Sequence, residues 1–464
     1  MSRMRAGFGG VLRLTPWLPL LLCACGIGTL ALAALLRQPV LLQWRVPATM
    51  LVVALVVAAA ALFAWYRLAG RPLRHQRWLL GLWLMVALVA GWQEAGFRRH
   101  KQNVLAAPSA TAQKLGAHII VGYDDPVTVK MLVARGLVGG IFITAHNVRN
   151  RSKAAIDAEI SMLQTLRKVA GLPPLIVTTD QEGGIVSRMS PPLEPMPPLA
   201  DVIATAKPEE VERRAFAYGQ QQGHELASLG VNVNFAPLAD LSTASQHHRF
   251  DFRSLIGRRA IGEDPVRVSS AVIGYAHGLE SAGVRATLKH FPGLGRVTGD
   301  THVRPAVLTA SQDELESSDW IPFQAGLRAT QSLLMVGHAT LSAVDDSRPA
   351  SRSVRVIQEI VRKRWHHDGV LVTDDLTMGA VVAQGLCPAG VEALNAGIDL
   401  LLVSYDADQY YEIFDCLLQA ERDNRLDRRM LAGSQQRLGR LLASFVRRPL
   451  YSWHASRDER QEML

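Results

Sequence analysis

Apolar residues are distributed along this chain in two different ways. Near the N-terminus they form long uninterrupted runs, and beyond residue 112 they form short runs separated by amphipathic stretches. Residues 15–36 and 46–66 carry no charge. A third run, 78–92, is shorter and gains length only when extended to 97, which takes in Glu94. A membrane-spanning helix needs about 20 apolar residues, so the pattern predicts three spans, over 15–36, 46–66 and 78–97, in a membrane region of residues 1–99. Trp17, Trp44, Trp65, Tyr66, Trp78 and Trp92 lie near the ends of these runs, where aromatic rings favour the membrane–water boundary. Three such runs back to back, joined by short Arg-bearing links, argue against three buried core helices.

Residues 100–112 read as a polar linker. From residue 113 the apolar runs are 119–122, 139–144, 175–179, 231–237, 286–290, 333–336, 370–373 and 399–403. They are rich in Val, Ile and Leu, and continuous rather than alternating apolarity suits parallel strands buried on both faces. Residues 209–229 and 265–281 read as helices. The first follows Pro208 and the second begins at Pro265, a favoured first helical position. Eight strand candidates separated by helices predict an α/β fold, a TIM (β/α)8 barrel over 113–450, for which about 250 residues is typical. An open doubly wound sheet is the structural rival. Residues 451–464 read as a polar tail.

Charge sets an orientation for the predicted spans. Arg3, Arg5 and Arg13 precede the first span, and Arg67, Arg71, Arg74 and Arg77 lie between the second and third. Arg37, Arg45, Arg98, Arg99 and Lys101 fall on the other side, giving seven against five. Cytoplasmic flanks carry the excess of Lys and Arg, so the barrel is expected outside, in the periplasm of a bacterium, tethered to the inner membrane. Leu22-Cys23-Ala24-Cys25-Gly26 loosely resembles a lipidation site, but the apolar run continues to Leu36, which suits a retained span. The net charge of +9 is spread along the chain without an aromatic-interleaved basic stripe. It indicates no nucleic-acid partner and suits an anionic lipid bilayer. Cys387 and Cys416 are far apart, and no cysteine spacing suggests zinc or a dense disulfide framework.

Catalytic residues of such a barrel sit at the C-terminal ends of its strands. The third predicted strand ends in Thr179-Asp180-Gln181-Glu182-Gly183-Gly184, and the fourth in Asn234-Phe235-Ala236-Pro237 with Asp240 beyond. The fifth ends in Lys289-His290, the sixth in Gly337-His338, the seventh in Thr373-Asp374-Asp375. A loop after the fifth carries Asp300-Thr301-His302, a carboxylate and an imidazole two residues apart. A lone aspartate at a strand–helix junction is more often a helix cap. Repeated placement of titratable groups on one rim points to function.

These residues, with Ile256-Gly257-Arg258-Arg259, Lys289-His290-Phe291-Pro292-Gly293 and Thr373-Asp374-Asp375-Leu376-Thr377-Met378, are similar to motifs of glycoside hydrolase family 3, in its single-domain β-N-acetylhexosaminidase branch. The resemblance runs from about residue 114 to 444, with six motifs in family order. It implies a retaining glycosidase with Asp374 as nucleophile, His302 as general acid/base and Asp300 orienting His302. It also implies that Asp180, Arg188, Arg259, Lys289 and His290 bind the sugar. An imidazole titrates near neutral pH and can give a proton to the leaving oxygen and later take one from water. Alternation along a strand turns Asp375 away from the face of Asp374. His247, His248, His338, His366 and His367 read as structural or exposed. The chain departs from the family at Leu294, where a His is usual, at Ile185, where an Arg is usual, and at Ala260-Ile261, where Ser-Phe is common.

The resemblance implies release of terminal N-acetylglucosamine from β-linked glycans, with peptidoglycan fragments as the substrate near an outward-facing domain. It implies no metal and no organic cofactor. The rivals are a β-glucosidase, another β-glycosidase or a phosphorylase of the same family, and, from a different class, a silent glycan-binding membrane protein.

Overall fold

The computed structural model describes residues 18–68, 77–242, 255–297 and 305–446. The chain divides into two compact units, Met1–Gln102 and Asn103–Leu464.

Three helices form the first unit where the three apolar runs stood: α1 (Leu18–Leu35), α2 (Arg45–Leu68) and α3 (Arg77–Ala106). By length and composition two stretches could cross a membrane, Pro39–Trp65 and Arg77–Ala106, whereas Leu20–Leu35 is shorter. Val52, Phe63, Leu79, Trp83 and Val86 pack a small core between the helices. Most other large apolar side chains of this unit point outward, with Leu88 63% and Trp92 75% exposed. Glu94 of α3 is ion-paired with Arg37, which follows α1. The stretch expected to be a polar linker, 100–112, is mostly helical: α3 runs on to Ala106 and α4 (Ser109–Gly116) follows. The helix continues because Arg98 to Val104 lacks Gly and Pro and is rich in long-chain residues of good helix propensity.

The second unit is built on eight parallel strands, all within the predicted runs or a residue or two of them. They are β1 (Ile119–Gly122), β2 (Gly140–Ile143), β3 (Ile176–Thr179), β4 (Val233–Asn234), β5 (Thr287–Phe291), β6 (Leu333–Val336), β7 (Leu371–Asp375) and β8 (Leu400–Val403). Their order in the sheet is β4-β3-β2-β1-β8-β7-β6-β5. Parallel bridges Val233↔Arg285 and Leu238↔Lys289 join the two outer strands, so the sheet is nearly closed into a TIM-like barrel. Each of β1, β2, β3, β6 and β8 is buried at every position, as continuous apolar runs require of strands covered on both faces. Helices α5 (Pro208–Ala227) and α6 (Pro265–Ser281) occupy the predicted stretches. Asp264 caps α6 by accepting the Val266 N–H, with Pro265 in the first turn.

Ile120, Phe142, Ile176, Phe235, Met335, Val372 and Leu402 fill the barrel core. Leu438 and Leu441, from the last described helix α9 (Arg428–Val446), join the same cluster. Between the barrel and α9 come α7 (Leu386–Ala396) and α8 (Gln409–Arg422), joined by a disulfide between Cys387 and Cys416 with Cα atoms 5.4 Å apart. This bond is a correction to the sequence reading, which gave these cysteines no role. Only the packing of α7 against α8 brings together two residues 29 apart.

Candidate active site

The parallel strands all finish at one rim, and the candidate residues collect there. After β3 the chain turns sharply into a short hairpin, Gln181–Gly183 against Val186–Ser187. Gly183 has φ +94°, and a Cβ on it would lie 1.9 Å from the Tyr218 hydroxyl, so only glycine fits. Asn234, fully buried in β4, clamps this turn: its side chain accepts the Gln181 N–H and donates to the Gln181 carbonyl. Asn232 clamps β3 in the same manner, at Val177 and Leu175. The two asparagines of the Val-Asn-Val-Asn motif therefore build the rim rather than touch a ligand.

That turn delivers Asp180 and Glu182 to two cations. Lys289, 2% exposed, places Nζ 2.7 Å from Asp180 Oδ1 and 2.6 Å from Glu182 Oε1. Arg259 donates to Glu182 through Nη2 at 2.6 Å and Nε at 3.0 Å, a bidentate fork. Burial alone would raise the Glu182 carboxyl, but the Arg259 and Lys289 charges hold it down at about 2. Glu182 is the residue that the sequence reading passed over. Its signal lay inside the Asp-Gln-Glu-Gly-Gly motif, two residues from Asp180 and on the same side of the chain.

Asp240, also fully buried, organises the next part of the rim. Its Oδ2 accepts the His290 N–H at 2.9 Å and lies 2.7 Å from His290 Nδ1, and its Oδ1 accepts the Leu294 N–H at 2.7 Å. A carboxylate only accepts, so Nδ1 carries the ring proton and the tautomer is fixed. The same carboxylate thus ties His290 to the root of the loop that follows β5. Trp320 Nε1 donates to the Pro292 carbonyl and Arg296 pairs with Asp319, which anchors this root further. Asp300 and His302, farther along the loop, lie outside the described residues. The departures at Leu294 and Ala260 belong together, because both side chains sit in one apolar cluster with Leu238, Ile256 and Ala339. Ile185 is exposed on the hairpin.

On β7 two adjacent aspartates have opposite surroundings. Asp375 is buried and accepts hydrogen bonds from Thr377 N–H and Oγ1, Ser404 N–H and Oγ, and Tyr405 N–H. Asp374 is half-buried at the rim, with Oδ1 accepting the Asp375 N–H at 2.8 Å. Beside them His338 is buried, its ring nitrogens on Ser351 Oγ and the Asp375 carbonyl. Burial pushes the His338 imidazole below its usual range, with the Asp374 charge working against that, so His338 is a neutral support for the end of β7. Arg188 is exposed, and its N–H donates to the Asp180 carbonyl, which sets it next to that carboxylate. Among the described residues no group of three His, Cys, Asp or Glu side chains is arranged to hold a metal ion.

The structure thus gathers Asp180, Lys289, Arg259 and Glu182 into one charge cluster and sets Asp374, His290 and Arg188 on the same rim. Asp374 is thus a half-exposed carboxylate on a rim otherwise built of buried, hydrogen-bonded polar groups.

Comparison with known proteins bears on this arrangement. Residues 110–441 match the family described as Glycosyl hydrolase family 3 N terminal domain. A Beta-hexosaminidase of Stenotrophomonas maltophilia (strain K279a) is 33% identical over 299 residues, which cover 64% of this chain and 83% of that protein. Among solved structures, a glycoside hydrolase family 3 beta-N-acetylglucosaminidase from Paenibacillus sp. str. FPU-7 superimposes with a TM-score of 0.66 at 29% identity. The match covers 72% of this chain, and the chain spans 62% of that protein's length. A Beta-N-acetylhexosaminidase from Beutenbergia cavernae DSM 12333 gives a TM-score of 0.64 at 27% identity, covering 72% of this chain and 98% of the other.

Proposed function

The chain belongs to glycosyl hydrolase family 3 and is a glycoside hydrolase, and from that premise we propose a membrane-anchored, retaining β-N-acetylhexosaminidase that releases terminal N-acetylglucosamine from β-linked glycans. The observation that carries the proposal is the contrast on β7. Asp375 is consumed by five hydrogen bonds, whereas Asp374 is half-exposed on the rim that also holds Asp180 and Lys289. In the first step an Asp374 oxygen bonds to the anomeric carbon as the glycosidic C–O bond breaks, and His302 gives its proton to the leaving oxygen. Water then attacks the anomeric carbon of the glycosyl–Asp374 ester and gives a proton to His302, which restores both groups. Asp300 orients His302 and stabilises the imidazolium. Asp180, Arg188, Arg259, Lys289 and His290 hold the ring hydroxyls and the acetamido group. Lys289 and Glu182 fix Asp180 and Arg259 before a sugar arrives, which lowers the reorganisation needed in the transition state.

The names of the relatives support the acetamido sugar. The anchor is supported by the outward-facing apolar side chains of α1 to α3 and by exposed Trp44, Trp65, Trp78 and Trp92. The Cys387–Cys416 disulfide supports a barrel in an oxidising compartment. Together with the arginine bias this favours a bacterial inner membrane with the barrel in the periplasm, where peptidoglycan fragments supply β-linked N-acetylglucosamine. The test is a panel of aryl β-glycosides that differ only in the sugar, offered to the full chain in detergent. Fastest release from the N-acetylglucosaminide is expected, and faster release from the glucoside would overturn the sugar assignment. A reporter fused after Leu464 that is active only in the cytoplasm would overturn the orientation.

A further inference from the structure

A cavity of about 670 Å3 lies at the end of the barrel opposite the candidate active site. Leu333 at the start of β6, and Arg285 and Val370 just before β5 and β7, form its roof. The helix Ile321–Ala329 and α9 supply its sides. Five arginines stand in this wall: Arg285, Arg328, Arg364, Arg437 and Arg440. Asp368 is the one carboxylate among the described lining residues, and it is paired with Arg440 at 2.5 Å and Arg437 at 3.5 Å. Glu280, Glu316 and Asp399 pair with Arg285, Arg364 and Arg437 from outside the lining. Arg328 is exposed and donates to the neutral amide oxygen of Gln324.

Two further polar groups of the wall lack partners. Trp365 is 8% exposed, and its Nε1 has no hydrogen-bond partner among the described residues. The same holds for His367 Nε2, whose ring packs against Gly369. Both atoms are sealed behind the wall, Trp365 packing its ring against Phe291 and Trp320, so the cavity surface itself is set by the arginines. Apolar Leu327 and Leu441 complete the wall. Ligand sites of about 300–1,000 Å3 take molecules rather than bare ions. Several guanidinium forks around one space match the many oxygens of a phosphate better than a single carboxylate.

We propose that this cavity is a binding site for an organic phosphate, whose anionic head meets Arg328 and Arg364 and whose less polar part lies against Leu327, Leu441 and Trp365. It is separate from the glycosidase reading and shares no residue with it. One phosphate chemistry has two sources here, a soluble phosphate ester or the headgroup of an anionic phospholipid.

The test uses the full chain in phosphatidylcholine nanodiscs. Titration calorimetry with glycerol 3-phosphate should give saturable binding if soluble esters enter. A higher unfolding midpoint in phosphatidylglycerol nanodiscs than in phosphatidylcholine should appear if lipid headgroups do. In either arm Arg328→Ala with Arg364→Ala should weaken the effect about tenfold or more. Arg328→Ala alone is a control that cannot unfold the chain through lost pairing, and it should give a partial loss. Aryl-glycoside cleavage should be unchanged in both variants. Absence of binding in both arms, or equal binding by wild type and the double variant, would overturn the proposal.

Discussion

At the C-terminal rim of the barrel every charge of the Asp180–Glu182–Lys289–Arg259 cluster has its opposite within 3.0 Å, and Lys289 and Glu182 are almost wholly buried. At the other end Arg437 and Arg285 are also largely buried, but Arg364, Arg440 and Asp368 have 52%, 58% and 67% of their side chains in solvent. The same ion-pair chemistry therefore has different consequences at the two ends. Removing one member of a buried pair strands its partner and costs about 3–5 kcal/mol, whereas an exposed pair contributes about 0–1 kcal/mol. The rim is set in advance of its ligand, and the opposite end keeps guanidinium groups that solvent or a ligand can share.

The sharpest way to break this comparison is to exchange the roles of neighbours on β7. Asp374→Ala should lower turnover of an aryl β-N-acetylglucosaminide by about 10,000-fold and leave the denaturation midpoint nearly unchanged. Asp375→Ala should lower stability by about 2–4 kcal/mol, because it strands the donors of Thr377, Ser404 and Tyr405. If folded Asp374→Ala retains activity, Asp374 is not the nucleophile.

Next in size is Glu182→Gln, which leaves Arg259 and Lys289 with too little negative charge. It should destabilise the barrel by about 3 kcal/mol at neutral pH. Glu182 titrates at about 2 in the fold against an ordinary 4.5. A depressed carboxyl contributes stability that is complete above pH 4.5 and is lost as the pH falls toward 2. The difference between wild type and Glu182→Gln should therefore narrow below pH 4.5. A difference that stays constant down to pH 3, measured by urea unfolding, would mean that Glu182 is not held ionised by its neighbours.

How far these features could be read from sequence depends on the range of the interaction. The eight strands were legible because a strand buried on both faces must be apolar at successive positions, as in Ile119–Gly122 and Leu400–Val403. The rim positions of Asp374 and Lys289 were legible because barrel topology puts strand ends at one rim. Glu182, Asp240 and the Cys387–Cys416 pair were not assigned roles, since each acts through a partner distant in sequence: Glu182 through Arg259 and Lys289, Asp240 through His290 and Leu294. The arginine-walled cavity was illegible for the same reason. Its arginines come from four separate segments, and in sequence they resemble ordinary surface cations.

The disulfide joins α7 to α8 and tests the comparison through the unfolded chain. Closing a 29-residue separation stabilises a fold by about 3–4 kcal/mol in the chain-entropy view. Cys387→Ser with Cys416→Ser should lower the midpoint accordingly and leave aryl-glycoside turnover per folded molecule unchanged. A reductant should reproduce the loss in wild type and have no effect on the double variant.

The smallest effect sharpens the contrast most. Arg440→Gln removes an ion pair to Asp368 at 2.5 Å, no longer than the 2.7 Å from Lys289 to Asp180. If distance governed the contribution, the two losses would be equal. Burial governs it instead: solvent already screens Arg440, and Arg437 still approaches Asp368 at 3.5 Å. Arg440→Gln should therefore change unfolding stability by no more than about 0.5 kcal/mol, and glycosidase turnover should not move. A loss above about 1 kcal/mol, measured by the same urea unfolding as Glu182→Gln, would mean that this end of the barrel is held together by its charges as the rim is.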